Sequence, residues 1–145
     1  MSARQGAERV VIDTNIAVSA LIAKEGAPAK VFEKLIRREI ENYTSKEIIS
    51  ELKEVLKRKE IAERTSGKAR KFILREYLNN SMRVAAKRGV HAAAHDADNR
   101  FLEAALAAGA KYIITGDSHL LELREFGGAK ILRAKEFLET SAGKG

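Results

Sequence analysis

The sequence contains no cysteine, which excludes disulfides, thiolate zinc sites, iron–sulfur clusters and cysteine nucleophiles together. It has one proline, Pro28, and neither an internal repeat nor a low-complexity block, so nothing marks an interdomain linker. Long apolar runs are missing as well. The longest, residues 16–23, includes Ser19 and falls well short of the ~20 residues of a membrane span. The opening MSARQGAERVVID carries no apolar signal-peptide region, and the expected location is the cytoplasm. Histidine is scarce. His91 and His119 belong to no motif, and His95, beside Asp96, reads as an exposed loop residue. The serines and threonines have no partner base in a recognisable arrangement, which disfavours a serine hydrolase.

What remains is a chain of 145 residues, the size of one domain. With 45% hydrophobic and 32% charged residues, it is a globular composition and not a disordered one. A single domain over residues 8–139 is expected, with short flexible ends at 1–7 and 140–145. The pattern alternates short apolar runs with helical periods. Strands are expected at 9–12, 39–43, 81–85, 111–115 and 130–132, and helices at 15–23, 29–38, 68–78, 97–108, 118–123 and 134–139. Thr44-Ser45-Lys46-Glu47 matches a capping box and opens a further helix, with Ile48, Ile49, Leu52, Val55 and Leu56 on one face. Such alternation predicts an α/β fold with a parallel sheet covered on both sides, where ligands gather beyond the C-terminal ends of the strands.

The net charge is +7 and unevenly spread. Residues 53–88 hold 12 basic and 4 acidic side chains, a net +8, which leaves −1 for the remainder. A polyanion-binding face requires such a concentration, with Lys68, Arg70 and Lys71 at its centre. A solvated helical surface would show the same run.

The acids stand elsewhere. Asp13 directly follows Val10-Val11-Ile12, and Asp117 follows Ile113-Ile114-Thr115-Gly116, so each is placed at a strand end. A helix N-cap explains either one alone; two in one small sheet suggest a shared site. Asp98 lies at a helix start, with Asp96 just upstream, and Glu51 borders the buried face of its helix beside Leu52. If Asp13, Glu51, Asp98 and Asp117 converge, their repulsion calls for a cation, about 4 kcal/mol per pair at ~4 Å and an effective dielectric of ~20. Oxygen-only ligands select a hard ion, Mg²⁺ or Mn²⁺. An acidic metal pocket beside a basic face is suited to phosphodiester hydrolysis.

Four segments sharpen this reading: Val11-Ile12-Asp13-Thr14-Asn15, Ser50-Glu51-Leu52-Lys53-Glu54-Val55-Leu56, Asp98 through Phe101-Leu102-Glu103-Ala104-Ala105, and Tyr112-Ile113-Ile114-Thr115-Gly116-Asp117. In this order the chain resembles the PIN-domain family, and within it the VapC-like toxin components of toxin–antitoxin systems. The resemblance implies a three-layer α/β/α sandwich around a parallel five-stranded sheet and a metal-dependent endoribonuclease. It implies catalytic roles for Asp13, Glu51, Asp98 and Asp117, with Asp13, Asp98 and Asp117 on the metal. Relatives often carry a denser acid run before the Phe-Leu-Glu helix; here Asp98 fits best, at the helix start, with Asp96 as the alternative that could share or take its role. Thr14, Asn15 and Thr115 become supporting polar residues. A homodimer and an antitoxin partner are implied by the family alone. Two other readings compete: a PIN-like RNA-binding scaffold without catalysis, and a phosphoryl-transfer domain with Asp13 as nucleophile. Four acids beside a polyanion disfavour the first. The second usually has another aspartate two residues on, where this chain has Asn15.

Overall fold

The computed structural model describes residues 6–85, 89–93 and 96–144, without the side chains of Asp96 and Ser141. His95, Lys87 and Arg88, and the side chain of Asp96, therefore lie outside the described residues. The centre of the fold is β1 (Arg9–Ile12). Val10, Val11 and Ile12 are all fully buried. Because successive strand residues point to opposite faces, a run with no exposed member must be covered on both sides. The same holds for Tyr112, Ile113 and Ile114, which form β4 (Tyr112–Ile114).

The sheet has six strands in the order β3-β2-β1-β4-β6-β5. Its other members are β2 (Glu41–Thr44), β3 (Ser81–Arg83), β5 (Glu125–Phe126) and β6 (Ala129–Leu132). The pairs β1–β2, β1–β4, β2–β3 and β4–β6 are parallel. The expected five-stranded parallel sheet is present, with β5 added antiparallel to β6. That hairpin turns on Gly127 and Gly128, at φ 57° and 88°, the left-handed pair that a two-residue turn demands. Two residues are too few to show a period, so β5 left no trace in the pattern.

Helices α1 (Thr14–Ile22), α2 (Ala27–Ile36), α3 (Lys46–Leu56), α4 (Lys59–Arg64), α5 (Gly67–Asn79), α6 (Asp96–Ala108), α7 (Ser118–Leu121), α8 (Ala134–Leu138) and α9 (Ser141–Lys144) complete the described fold. Pro28 sits in the first turn of α2, where its missing N–H costs nothing. The N-cap of α3 is Ser45, whose hydroxyl accepts from the Ile48 N–H, and not Thr44. Thr44 instead ends β2, and its Oγ1 receives the buried Tyr77 hydroxyl at 2.7 Å. The segment after residue 139, expected to fray, forms α9, and the Thr140 hydroxyl accepts from the Gly143 N–H at 3.0 Å. Among the described residues no helix is long and apolar enough to cross a membrane.

One buried polar side chain adjusts the sheet next to the strand ends. Asn42 on β2 is fully buried. Its Oδ1 accepts from the Ile12 N–H at 2.9 Å, and its Nδ2 donates to Ser81 Oγ at 2.8 Å. The amide thus extends the β1–β2 ladder by one side-chain bond, immediately before Asp13. It also ties β1 to β3 across β2.

Candidate active site

The strand order runs outward from β1 in both directions, toward β2 and β3 on one side and β4 and β6 on the other. Between β1 and β4 the crossover direction reverses, and open parallel sheets hold their ligands at this point. Asp13 leaves β1 there, its N–H still bonded to the Ile114 carbonyl at 2.9 Å. Asp117 stands just beyond β4.

A cleft of about 310 Å³ opens at this place, lined by Asp13, Glu51, Asp98 and Asp117 together with Thr14 and Asn15. Four different elements deliver the four acids. Asp13 caps α1 and Asp117 caps α7. Their N-cap and cleft-lining positions coincide, so the two explanations of a strand-end aspartate are not alternatives here. Asp98 differs: α6 begins at Asp96, so Asp98 is inside the first turn and its place does not follow from N-capping. It is buried, and its Oδ2 is shielded from solvent and receives no hydrogen bond from the described residues. Glu51, half-buried on α3, faces the same cleft.

Hydroxyls bind the acids together. Thr115 Oγ1 donates to Asp13 Oδ2 at 2.6 Å and accepts from the Asp117 N–H at 3.0 Å. Thr14 Oγ1 lies 3.3 Å from both Asp13 Oδ1 and Glu51 Oε2; with one proton it serves both only as a shared donor. The Asn15 N–H donates to Asp13 Oδ1 at 3.2 Å, and Asn15 Oδ1 accepts from the Gly116 N–H at 3.4 Å. Thr14, Asn15 and Thr115 are therefore braces between strand ends.

Burial of two of the carboxylates shows in their acidity. Burial, more than any other cause, raises the Asp13 pKa to about 6. Thr115 and the Asn15 N–H oppose the rise, and the Glu51 charge adds to it. Glu51 is also pushed up, first by burial and then by the Asp98 charge, against the Thr14 hydroxyl and the Arg58 guanidinium.

The residues present fit a hard divalent ion by their chemistry: oxygen donors only, on side chains whose burial and mutual charge a cation would relieve. The four acids line the cleft without drawing to one point. Among the described residues no group of three His, Asp or Glu side chains is gathered in ligating geometry.

Sequence reasoning missed several lining residues: Val18, Ser19, Val55, Arg58, Ile61 and Phe101. Ser19 lies one helical turn after Asn15, and Val55 one turn after Glu51, so helical spacing from the acids would have found both. Arg58 was visible only as one member of a charge run. Asn99 was missed too; its side chain brackets Ala93, accepting from its N–H at 2.9 Å and donating to its carbonyl at 3.4 Å. That bond pair fixes the approach to α6 beside Asp98.

The basic residues form a separate feature. A groove of about 360 Å³ between α3 and α5 has Leu56 and Leu74 among its lining, with Lys53, Lys57, Arg70 and Lys71 around them. Lys68 is exposed but not part of this lining. Arg70 is already engaged: its Nη1 donates to Thr65 O at 2.9 Å, to Thr65 Oγ1 at 2.8 Å and to Ala62 O at 3.3 Å.

Comparison with known proteins agrees with this architecture. Residues 9–119 match the PIN domain family. The uncharacterized protein MJ1680 of Methanocaldococcus jannaschii is 32% identical over 126 residues, spanning 81% of this chain and 76% of that protein. A chain in the crystal structure of VapBC2 from Rickettsia felis, bound to a DNA fragment from its promoter, superposes with a TM-score of 0.57 at 13% identity. That alignment covers 85% of this chain and 96% of the other, a likeness of fold. With the family match extending from β1 to the first residues of α7, the chain belongs to the PIN-domain family.

Proposed function

We propose that this protein is a Mg²⁺- or Mn²⁺-dependent endoribonuclease, acting as the toxin of a toxin–antitoxin pair. The observation that carries the reading is the convergence of Asp13, Glu51, Asp98 and Asp117, from four elements, on one cleft at the topological switch point of the sheet. A binding scaffold for a polyanion gains nothing from such a cluster, which repels phosphate. A hydrolase needs it.

Asp13, Asp98 and Asp117 would hold the ion, with Asp96 sharing or taking the place of Asp98, and Glu51 would complete the acidic wall. When bound, the ion polarises the phosphate and lowers the pKa of an attacking water. The chain's own residues set the geometry. Thr115 and the Asn15 N–H fix both oxygens of Asp13, and Thr14 keeps Glu51 beside it. In hydrolysis the water oxygen bonds to phosphorus as the bond to O3′ breaks. A cleft carboxylate takes the water proton, and O3′ takes one from solvent, leaving 5′-phosphate and 3′-hydroxyl ends. Lys53, Lys57 and Lys71, with the remaining donors of Arg70 and with Lys68 nearby, bind the RNA backbone.

The VapBC2 likeness supports an antitoxin protein as partner, and the family supports a homodimer. Incubating pure protein with RNA tests the central claim. Cleavage that needs Mg²⁺ or Mn²⁺ and stops with EDTA is expected; EDTA-resistant cleavage ending in 2′,3′-cyclic phosphates would overturn it. Light scattering should give a dimer at micromolar concentration, and a monomer there removes the dimer and leaves the nuclease intact.

A further inference from the structure

One cation stands among the acids. The cleft lined by Asp13, Glu51, Asp98 and Asp117 is also lined by Arg58, and by no other basic residue among those described. Arg58 belongs to the joint between α3 and α4, following the α3 C-cap Lys57 and serving as the N-cap of α4. Its backbone is extended, at φ −62° and ψ 141°. The joint is held by two bonds, the N–H groups of Ile61 and Ala62 donating to the Arg58 carbonyl at 3.1 and 2.9 Å. The main chain is thus fixed, while the residue as a whole remains exposed.

Its side chain is not committed to a structural partner. Among the described residues the ion pairs involve Arg9, Lys34, Arg37, Lys59, Arg75, Arg100 and Lys111, and not Arg58. It acts on Glu51 through its charge alone. The contrast with Arg70, whose guanidinium is bonded to the Thr65 and Ala62 backbone, separates a cation that braces the fold from one presented to a cavity.

A cleft with four carboxylates repels a phosphodiester, and a cation presented to that cleft offsets part of the repulsion. The Arg58 guanidinium, lining the same cleft, supplies a second positive contact, in the fork geometry that matches two phosphate oxygens. As water adds to phosphorus, negative charge grows on the non-bridging oxygens, where a positively charged donor is worth most. Resting on the nuclease reading, we propose that Arg58 is a catalytic residue that grips the phosphate being cut and neutralises the charge developing on it. The cations of the α3–α5 groove, outside the cleft, contact only the flanking backbone.

The test uses the full chain in Mg²⁺ and compares wild type with Arg58→Met and Arg58→Lys. Calorimetry measures binding of 5′-AMP, a mimic of the 5′-phosphate product, and steady-state cleavage of RNA separates kcat from KM. Arg58→Met should weaken 5′-AMP binding at least tenfold and lower kcat by about 10²–10³, with KM changed less than threefold. Arg58→Lys should recover part of both losses, and circular dichroism should show both variants folded. Equal 5′-AMP affinity in wild type and Arg58→Met overturns the proposal, as does absence of wild-type binding or a loss confined to KM. A wild type that binds 5′-AMP through Arg58 yet cleaves no RNA sinks the nuclease reading and leaves the phosphate contact standing.

Discussion

The acidic cleft and the basic groove share a wall, α3, and are built in opposite ways. Glu51 and Val55 line the cleft, whereas Lys53, Leu56 and Lys57 line the groove. The acids are brought together from distant parts of the chain and braced by hydroxyls and backbone N–H groups; Asp13 and its partner Thr115 are 102 positions apart. The groove cations come from two neighbouring helices, α3 and α5. Positive charge that only has to hold a flexible polyanion needs density and little precision, because each phosphate contact is nearly independent. Chemistry on one phosphate needs fixed positions, which hydrogen bonds across a sheet edge provide.

The largest effect should come from breaking the acid side. Asp98→Asn is expected to lower RNA cleavage by at least ~10³, about 4 kcal/mol of transition-state stabilisation. Because Asp98 is buried beside Glu51 and lies inside the first turn of α6 instead of at its N-cap position, the metal-free melting temperature should stay level or rise. Mg²⁺ should then stabilise the variant less than the wild type. A variant that cleaves normally and responds fully to Mg²⁺ would shift the site to Asp96.

A smaller effect is expected from the basic side. Changing Lys53, Lys57 and Lys71 to Gln together should flatten the plot of log affinity against log salt by about 2, at ~0.7 per lost contact on single strands. Affinity at low salt should fall roughly ten- to a hundredfold, while cleavage at saturating RNA persists. An unchanged slope would reduce the groove to a solvated surface.

Acidity separates the two regions further. The folded pKa of Asp13, about 6, lies above the ordinary 3.8, so ionising it opposes folding. Its contribution is fully favourable below the unfolded pKa and is lost as pH rises through about 6. Between pH 8 and pH 5 the metal-free wild type should therefore gain about 1–1.5 kcal/mol over Asp13→Asn, as urea titrations of the pair would show. Parallel pH curves would place Asp13 in a better-solvated setting.

The smallest effect lies within the groove itself. Arg70→Gln removes a guanidinium bonded to Thr65 and Ala62, and should cost about 1 kcal/mol of stability. Its effect on the salt slope should be weaker than that of Lys71→Gln. The reverse ranking would mean that Arg70 exchanges its backbone partners for phosphate.

What the sequence made legible follows the same division. Asp13 and Asp117 stood out because a polar residue ending an apolar strand has few places to go, and the parallel sheet puts such ends together. Glu51 was readable as the border of a helical face. Arg58 was not: it continues the spacing of Glu51 and Val55 but lies just past the α3 C-cap Lys57, inside a run of basic residues where nothing local sets it apart. Asn42 was hidden for another reason: its value lies in a bond to the strand beside it, which no local pattern encodes. The short β5 and the shift of the α3 cap from Thr44 to Ser45 turn on single residues, below the resolution of periodicity.

The position of β4 in the sheet has a consequence for how the chain comes to act at all. During synthesis β1 can pair early with β2, yet its other edge stays open until β4 emerges, a hundred-odd positions later. Contacts of such sequence separation form late. Until then Asp13 lacks its Thr115 donor, Asp117 has not been made, and the cleft has no second wall. A nascent chain, or any fragment ending before residue 112, has every residue that lines the basic groove but lacks the Thr115 and Asp117 of the acidic centre. On the nuclease reading, such a piece has the residues proposed to hold nucleic acid and not the full set proposed to cut it.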